Sequence, residues 1–236
     1  MPDEAKRKLS VFGYYLIETQ PDKRLSAPIA SHPDMIMCYH NGTLISSCDY
    51  CDSYPYIFED IHRFAPDVKM IFTDDTVKTE YPHDARYNAL FVGSYLFCKA
   101  DSVSGAILDY AEKKDIKLIP TKQGYPACTT LPLSDKTALS ADPGILKALS
   151  ENGICAIKTE NGGIALPPYE YGFIGGTAGI CDGKLFFIGD YTLHASADTI
   201  ASAARAENLS PVSLCSGELL DLGRIIFIDS DVKYNG

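Results

Sequence analysis

Five side chains that can do chemistry stand at comparable points of a repeating pattern, Asp34, Asn88, Cys128, Thr177 and Asp221, and His32 lies two residues before the first. A thiol can act as a nucleophile and an imidazole can carry a proton. Carboxylates, an amide and a hydroxyl can hold a polar or cationic ligand. Each residue also has a simpler use. His32 can close a strand end with a hydrogen bond, Asp34 and Asp221 can cap turns, and a lone cysteine commonly serves as a small buried hydrophobe. Chemistry follows only if the fold gathers them.

The elements that must do so can be read along the chain. Met35–Cys38 is a short apolar run, Asn41-Gly42 has the composition of a tight hairpin turn, and Thr43–Ser46 returns. Apolar residues at helical spacing over 54–64 and a buried strand at Val68–Phe72 complete one strand–strand–helix–strand unit. The order recurs with a hairpin of Asn88–Val92 and Tyr95–Lys99, a helix over 103–114 capped by Asp101 or Ser102, and a strand at Ile116–Ile119. A third unit has Thr129–Leu133, Thr137–Ala141, a helix from Pro143 to about Glu151 with Asp142 as N-cap, and Ile154–Lys158. A fourth has Thr177–Ile180, Asp182-Gly183, Lys184–Ile188, a helix near 196–207 and a strand at 211–215. The fifth keeps only its hairpin, Leu219–Leu222 and Arg224–Ile228.

Asp34, Asn88, Cys128, Thr177 and Asp221 are the equivalent anchors, roughly 40 to 54 residues apart, a spacing typical of repeated supersecondary units. The pattern predicts an α/β fold: a closed pseudo-fivefold propeller of ββαβ units. It predicts a single domain over 1–236, with units near 31–73, 86–120, 126–158, 175–215 and 218–230. The segment around 10–30 would close the ring and remove the open sheet edge. In such a ring the residues opening each first strand converge on the axis, so the anchors would line one polar pocket.

Other motifs carry less. Cys48-x-x-Cys51 with His40 and His62 lacks the second knuckle of a structural zinc site and reads as surface thiols. Gly172–Gly176 lacks the lysine of a phosphate loop, so its glycines read as close backbone approach. Asp190 and His194 read as caps of the fourth helix, and Tyr14, Tyr15, Tyr54, Tyr56 and Phe58 as core and interface. A net charge of -10 and the absence of a basic stripe argue against nucleic acid, and an acidic chain suits a small cationic metabolite. MPDEAKRKLS does not read as a signal peptide, and no run approaches the roughly 20 apolar residues of a membrane span. The expectation is a cytoplasmic protein with most of its eight cysteines as thiols. A homo-oligomer is compatible with the sequence.

Successive ββαβ units with His32-Pro33-Asp34 opening a hairpin resemble the guanidino-group-modifying, or pentein, superfamily of deiminases, dimethylarginine hydrolases and amidinotransferases, which has a non-catalytic branch. SHPDMIMC, YPHDARYNALFVGSYL, QGYPACTTLPLSD and YGFIGGTAG look closer still to an uncharacterised bacterial family assigned to that fold. The resemblance implies a cysteine thiolate attacking a guanidinium carbon, a histidine shuttling protons, acidic residues holding the guanidinium, and no cofactor. His32 and Asp34 match the His-x-Asp element. Two features depart from it. No carboxylate adjoins Gly175-Gly176, and chain order favours Cys215 as nucleophile whereas anchor position favours Cys128. The expectation is Cys128 with His32, with Cys215 as runner-up and Asp34, Asn88, Thr177 and Asp221 binding substrate. The other expectation is a non-catalytic pentein-like module that binds a metabolite or a partner protein.

Overall fold

The computed structural model describes residues 1–228 and contains a mixed α/β chain whose strands form five small sheets. The chain opens with helix α1 (Asp3–Val11), whose Ala5 and Leu9, four residues apart, share one buried face. The first unit contains α2 (Pro33–Ile36), β1 (Met37–His40), β2 (Thr43–Ser47), α3 (Cys48–Ser53), α4 (Pro55–Phe64) and β3 (Lys69–Thr73). The second has a 3-10 turn His83–Ala85, then β4 (Leu90–Val92), β5 (Tyr95–Cys98), α5 (Gly105–Lys113) and β6 (Lys117–Pro120). The third comprises α6 (Pro126–Thr129), β7 (Thr130–Pro132), β8 (Thr137–Ser140), α7 (Pro143–Glu151) and β9 (Cys155–Lys158). A short strand β10 (Ile164–Ala165) precedes the fourth, which has a 3-10 turn Ile174–Thr177, β11 (Ala178–Cys181), β12 (Lys184–Phe187), α8 (Ala197–Ala206) and β13 (Ser210–Ser213). Strand β14 (Leu219–Leu220) follows.

In each of the four units the first strand pairs antiparallel with the second, and the second pairs parallel with the third across the helical crossover. Hairpin turns fix the register. Asn41-Gly42 and Asp182-Gly183 both have positive φ at their two central positions, as a type I′ turn requires. Apolar clusters join neighbouring units. Leu90, Val92 and Phe97 pack with Ile145, Leu149 and Ile154, and Leu131 and Leu139 pack with Leu185, Phe187 and Ile200. No unit buries its own faces alone, which ties the units together.

Several expectations need correction. The first hairpin strand does not begin at Met35. A one-turn helix occupies Pro33–Ile36, and similar short turns precede the other hairpins, so Asp34, Cys128 and Thr177 sit on helical turns rather than strand openings. The second helix is not capped by Asp101 or Ser102; it starts at Gly105, where Asp75 accepts from Gly105 N at 2.9 Å and Ser104 Oγ at 2.7 Å. Strand β3 is half-exposed instead of buried, because the third strand of each unit is the outer one. The fifth hairpin is not formed as an antiparallel pair. β14 pairs parallel with β10, and residues 222–225 bond through Leu222 N and Arg224 N to Gly176 O and through Ile225 N to Ala178 O. Residues 229–230 of that expected unit lie outside the described residues.

The N-terminal segment spans the two ends of the array. Ala5 and Leu9 pack with Phe186, Leu214, Cys215 and Ile225, while Leu25 and Ala30 join the first unit's core. Tyr14 stacks edge-on against Phe186 and Phe227, whereas Tyr54 and Phe58 pack around Tyr50. Among the described residues no helix is long and apolar enough to cross a membrane.

Candidate active site

The short turns deliver the functional side chains. Asn88 closes the turn His83–Ala85 through Asn88 N to Ala85 O at 3.1 Å. Its Oδ1 accepts from Ala127 N at 2.8 Å, which orients the amide so that Nδ2 donates to Cys128 Sγ at 3.0 Å. Cys128, on α6, donates in turn to Asp34 Oδ2 on α2 at 2.8 Å. Three anchors from three units thus form one buried chain of contacts.

A second pair sits beside it. Asp221 accepts from Phe173 N at 2.8 Å and from Gly223 N at 3.1 Å. His32 Nδ1 lies 3.9 Å from Asp221 Oδ1, within charge contact but beyond hydrogen-bond reach. Both ring nitrogens of His32 and Asp34 Oδ1 are buried with no hydrogen-bond partner. Glycines make the approach close enough. A Cβ on Gly176 would collide with the Asp221 carboxylate, and one on Gly175 would collide with the carbonyls of Ala127 and Thr130. The Gly172–Gly176 run therefore serves backbone proximity, as its composition suggested.

Neighbour contacts run through all five anchors' segments: Met35 to Asn88, Asn88 to Cys128, Gly175 to the α6 carbonyls, Gly176 to Asp221, and Gly223 O to Asp34 N at 3.3 Å. Thr177 is gathered with them, but its hydroxyl donates to Ile174 O at 2.8 Å and closes its own turn. Cys215 lies elsewhere, in the apolar cluster beneath α1, where burial raises its pKa. Asp190 accepts from Thr192 N and His194 Nδ1 from Ser196 N, so both act ahead of α8. Cys48 and Cys51 lie on α3, and among the described residues no group of three or more metal-ligating side chains gathers.

A cavity of about 190 Å³ adjoins the cluster, lined by Asp34, Met37, Cys38, Ala89, Arg224 and Phe227 among others. Arg224, held at φ 81°, directs Nη2 toward Ala127 O and Thr130 O at 3.4 and 3.3 Å. Electrostatics follow from burial. Burial, then the charges of Asp34 and Asp221, hold the Cys128 thiol well above its ordinary pKa, with Asn88 opposing weakly. Burial also raises Asp221, opposed by His32 and the Phe173 N–H and reinforced by Asp34. The resting sulfur is a thiol between two acids. A cation placed there would relieve both acids and favour the thiolate.

The sequence reading missed Asp84, Tyr125 and Arg224. Tyr125 stands three residues before Cys128, just ahead of α6, and Asp84 four residues before Asn88, on the turn His83–Ala85; neither short turn shows a period in the sequence.

The family of unknown function DUF6873 matches residues 1–226. No curated protein matches the sequence. The structure is similar to a dimethylarginine dimethylaminohydrolase adduct with S-methyl-L-thiocitrulline, with a TM-score of 0.54 and 11% identity over 89% of this chain and 80% of that one. It is similar to DDAH from Pseudomonas aeruginosa complexed with citrulline, with a TM-score of 0.53 and 10% identity over 89% and 79% of the two chains. It is also similar to an amidinotransferase from Microseira wollei in the saxitoxin biosynthetic pathway, with a TM-score of 0.50 and 12% identity over 98% and 84%. At these identities the likeness is one of fold, and the shared fold is that of the pentein superfamily.

Proposed function

We propose that this chain, which belongs to the family of unknown function DUF6873 and has the pentein fold, cleaves or transfers a C–N bond of a small guanidine or amidine in the cytoplasm, with Cys128 as nucleophile. The observation that carries this reading is the arrangement around the sulfur. One thiol touches one carboxylate and lies in the field of a second, and Asp34 Oδ1 and both His32 nitrogens are buried without partners. Orphaned buried polar groups are costly unless a ligand satisfies them. A planar cation with several N–H donors suits two carboxylates in a forked arrangement.

The chemistry balances without a cofactor. The bound cation lowers the thiol pKa, and His32 accepts the sulfur proton. The thiolate adds to the amidine carbon, forming a C–S bond. The C–N bond then breaks, and the departing amine takes its proton from His32. Water, or an acceptor amine, adds to the same carbon and gives a proton to His32; the C–S bond breaks and returns the thiolate. Asn88 orients the sulfur, and Asp34 and Asp221 position the substrate. The five sheets are proposed to form a closed pseudo-fivefold ring, supported by the succession of contacts that returns from Gly223 to Asp34.

A second reading, a non-catalytic binding module, is favoured by the raised Cys128 pKa and by Arg224, whose own guanidinium reaches the carbonyls of Ala127 and Thr130. Turnover of a panel of alkylguanidines and amidines, followed by amine or ammonia release, separates the two. The enzymatic reading predicts product formation that falls by at least about 1,000-fold in Cys128→Ser while binding persists. Binding without product for any compound would favour the module, and no binding at all would reject a guanidine or amidine as the ligand.

A further inference from the structure

Strand β2 ends at Ser47, and the chain turns directly into α3 with Cys48 and Cys51 at its first and fourth positions. The crossover then returns as β3, which pairs parallel with β2. A Cys-x-x-Cys that opens the helix after a strand of such a crossover has the arrangement of a redox dithiol. Ser47 Oγ accepts from Tyr50 N at 3.1 Å and fixes this first turn. Both thiols are free and half-buried, and among the described residues they belong to no group able to hold a metal ion. The charge of Cys48 acts on Cys51, so each sulfur lies in the other's field. Burial, then Asp74, Asp52 and Asp49, raises the Cys48 pKa; burial, then Asp52, Cys48 and Glu59, raises that of Cys51. These acidic surroundings penalise the thiolates but neither the thiols nor a disulfide. Such a pair exchanges slowly, which suits a switch better than a turnover site.

The two residues between the cysteines hold the segment that leads to His32. Tyr50 Oη accepts from Gln20 N and donates to Gln20 O, both at 2.9 Å. Asp49 Oδ2 accepts from Arg24 Nη1 at 2.6 Å and from Thr76 Oγ1 at 2.8 Å. Asp22 N donates to Ala30 O at 2.8 Å and Thr19 Oγ1 donates to Ser31 O, which ties the stretch around Gln20 and Arg24 to the residues just before His32. Cβ atoms three residues apart on a helix stand about 5–6 Å from each other, whereas a disulfide needs about 3.5–4.5 Å. Closing the bridge must therefore tighten the turn that carries Asp49 and Tyr50.

We propose that Cys48 and Cys51 form a reversible disulfide by exchange with a small-molecule disulfide, and that the closed form loosens the hold of Asp49 and Tyr50 on the 19–32 segment. One thiolate, its proton released to water, attacks glutathione disulfide. A protein–glutathione S–S bond forms, the original S–S bond breaks, and a glutathione thiolate leaves and takes up a proton. The second thiolate, its proton also released to water, attacks the protein sulfur of that mixed disulfide and expels the second glutathione. Two protein thiols are oxidised, and one glutathione disulfide is reduced to two thiols. The exchange needs neither Cys128 nor a bound guanidine.

The test incubates the full-length protein with glutathione disulfide and then with dithiothreitol, and maps free and reducible thiols by alkylation and peptide mass spectrometry. Alkylation of Cys48 and Cys51 is expected to fall together by at least about tenfold, with no glutathione retained on either, and to recover on reduction. In Cys48→Ser and in Cys51→Ser the remaining thiol should keep glutathione. Hydrogen exchange over residues 19–24 should be at least about threefold faster in the oxidised wild type, and unchanged in either serine variant after the same treatment. Free Cys48 and Cys51 beside a modified Cys155, which is exposed, would overturn the site, as would separate glutathione adducts on both thiols. A disulfide with unchanged exchange over 19–24 would overturn the coupling to the segment before His32.

Discussion

At Cys128 the sulfur donates to Asp34, accepts from Asn88 and lies in the field of Asp221, so its chemistry is set by charge rather than by exposure. In the ligand-free protein the thiolate is suppressed, and Cys128 should not be a hyper-reactive thiol at neutral pH. An opposite charge within a few ångströms shifts such a group by about 1–3 pKa units toward ionisation. Binding of a guanidinium is therefore linked to proton release from the sulfur, and affinity should rise with pH between the bound and free thiol pKa values. Much of this cluster was legible in the sequence. Asp34, Asn88, Cys128 and Asp221 stand at corresponding points of the repeat and His32 lies two residues before the first, so the repeat pointed to their convergence. The raised thiol pKa was not legible, because it depends on a 2.8 Å contact between residues 94 positions apart. Nor was the fate of Thr177, whose hydroxyl satisfies its own turn.

At the scale of elements, hairpins and long helices were readable because turn residues and helical periodicity mark them. The one-turn helices were not, since four residues are too few to show a period, and Pro33–Ile36 looks like the start of a strand. Nor was the cap of α5, which comes from Asp75, 29 residues upstream of Ser104. Hydrogen bonds from Ser104 and Gly105 and the charge of Arg86 outweigh desolvation and hold Asp75 below the ordinary aspartate value of 3.8. A depressed folded pKa stabilises above the ordinary value and loses that effect as pH falls through the folded one. Asp75→Ala should therefore lower unfolding free energy by about 1–2 kcal/mol at pH 7, toward the lower end because the site is partly solvated. The difference should shrink below pH 3.8, as denaturant titrations at several pH values would register. A pH-independent loss would assign the effect to packing instead.

The whole molecule is held by packing between units and by the N-terminal segment that spans both ends of the array. The succession of units was legible from the repeat, but α1 was not, because its charged residues hide a buried face of only Ala5 and Leu9. The fifth unit was misread because two apolar runs on either side of Gly223-Arg224 resemble a hairpin, whereas β14 pairs parallel with β10. Leu9→Ala should cost about 2–4 kcal/mol through the cavity it leaves. It should also speed alkylation of Cys215, which lies in the same cluster, while leaving Cys128 slow. Equal acceleration at both thiols would mean that loosening α1 opens the entire array.

The proposed reactivity depends on a cation converting a buried thiol into a nucleophile beside two carboxylates. Ultraviolet thiolate titration of the protein with and without butylguanidine, in wild type and Cys128→Ser, measures that conversion directly. The prediction is one thiolate per chain whose apparent pKa falls by at least about one unit on binding, a signal absent from Cys128→Ser. An unchanged titration while butylguanidine is bound, or a shift that persists in Cys128→Ser, would contradict it.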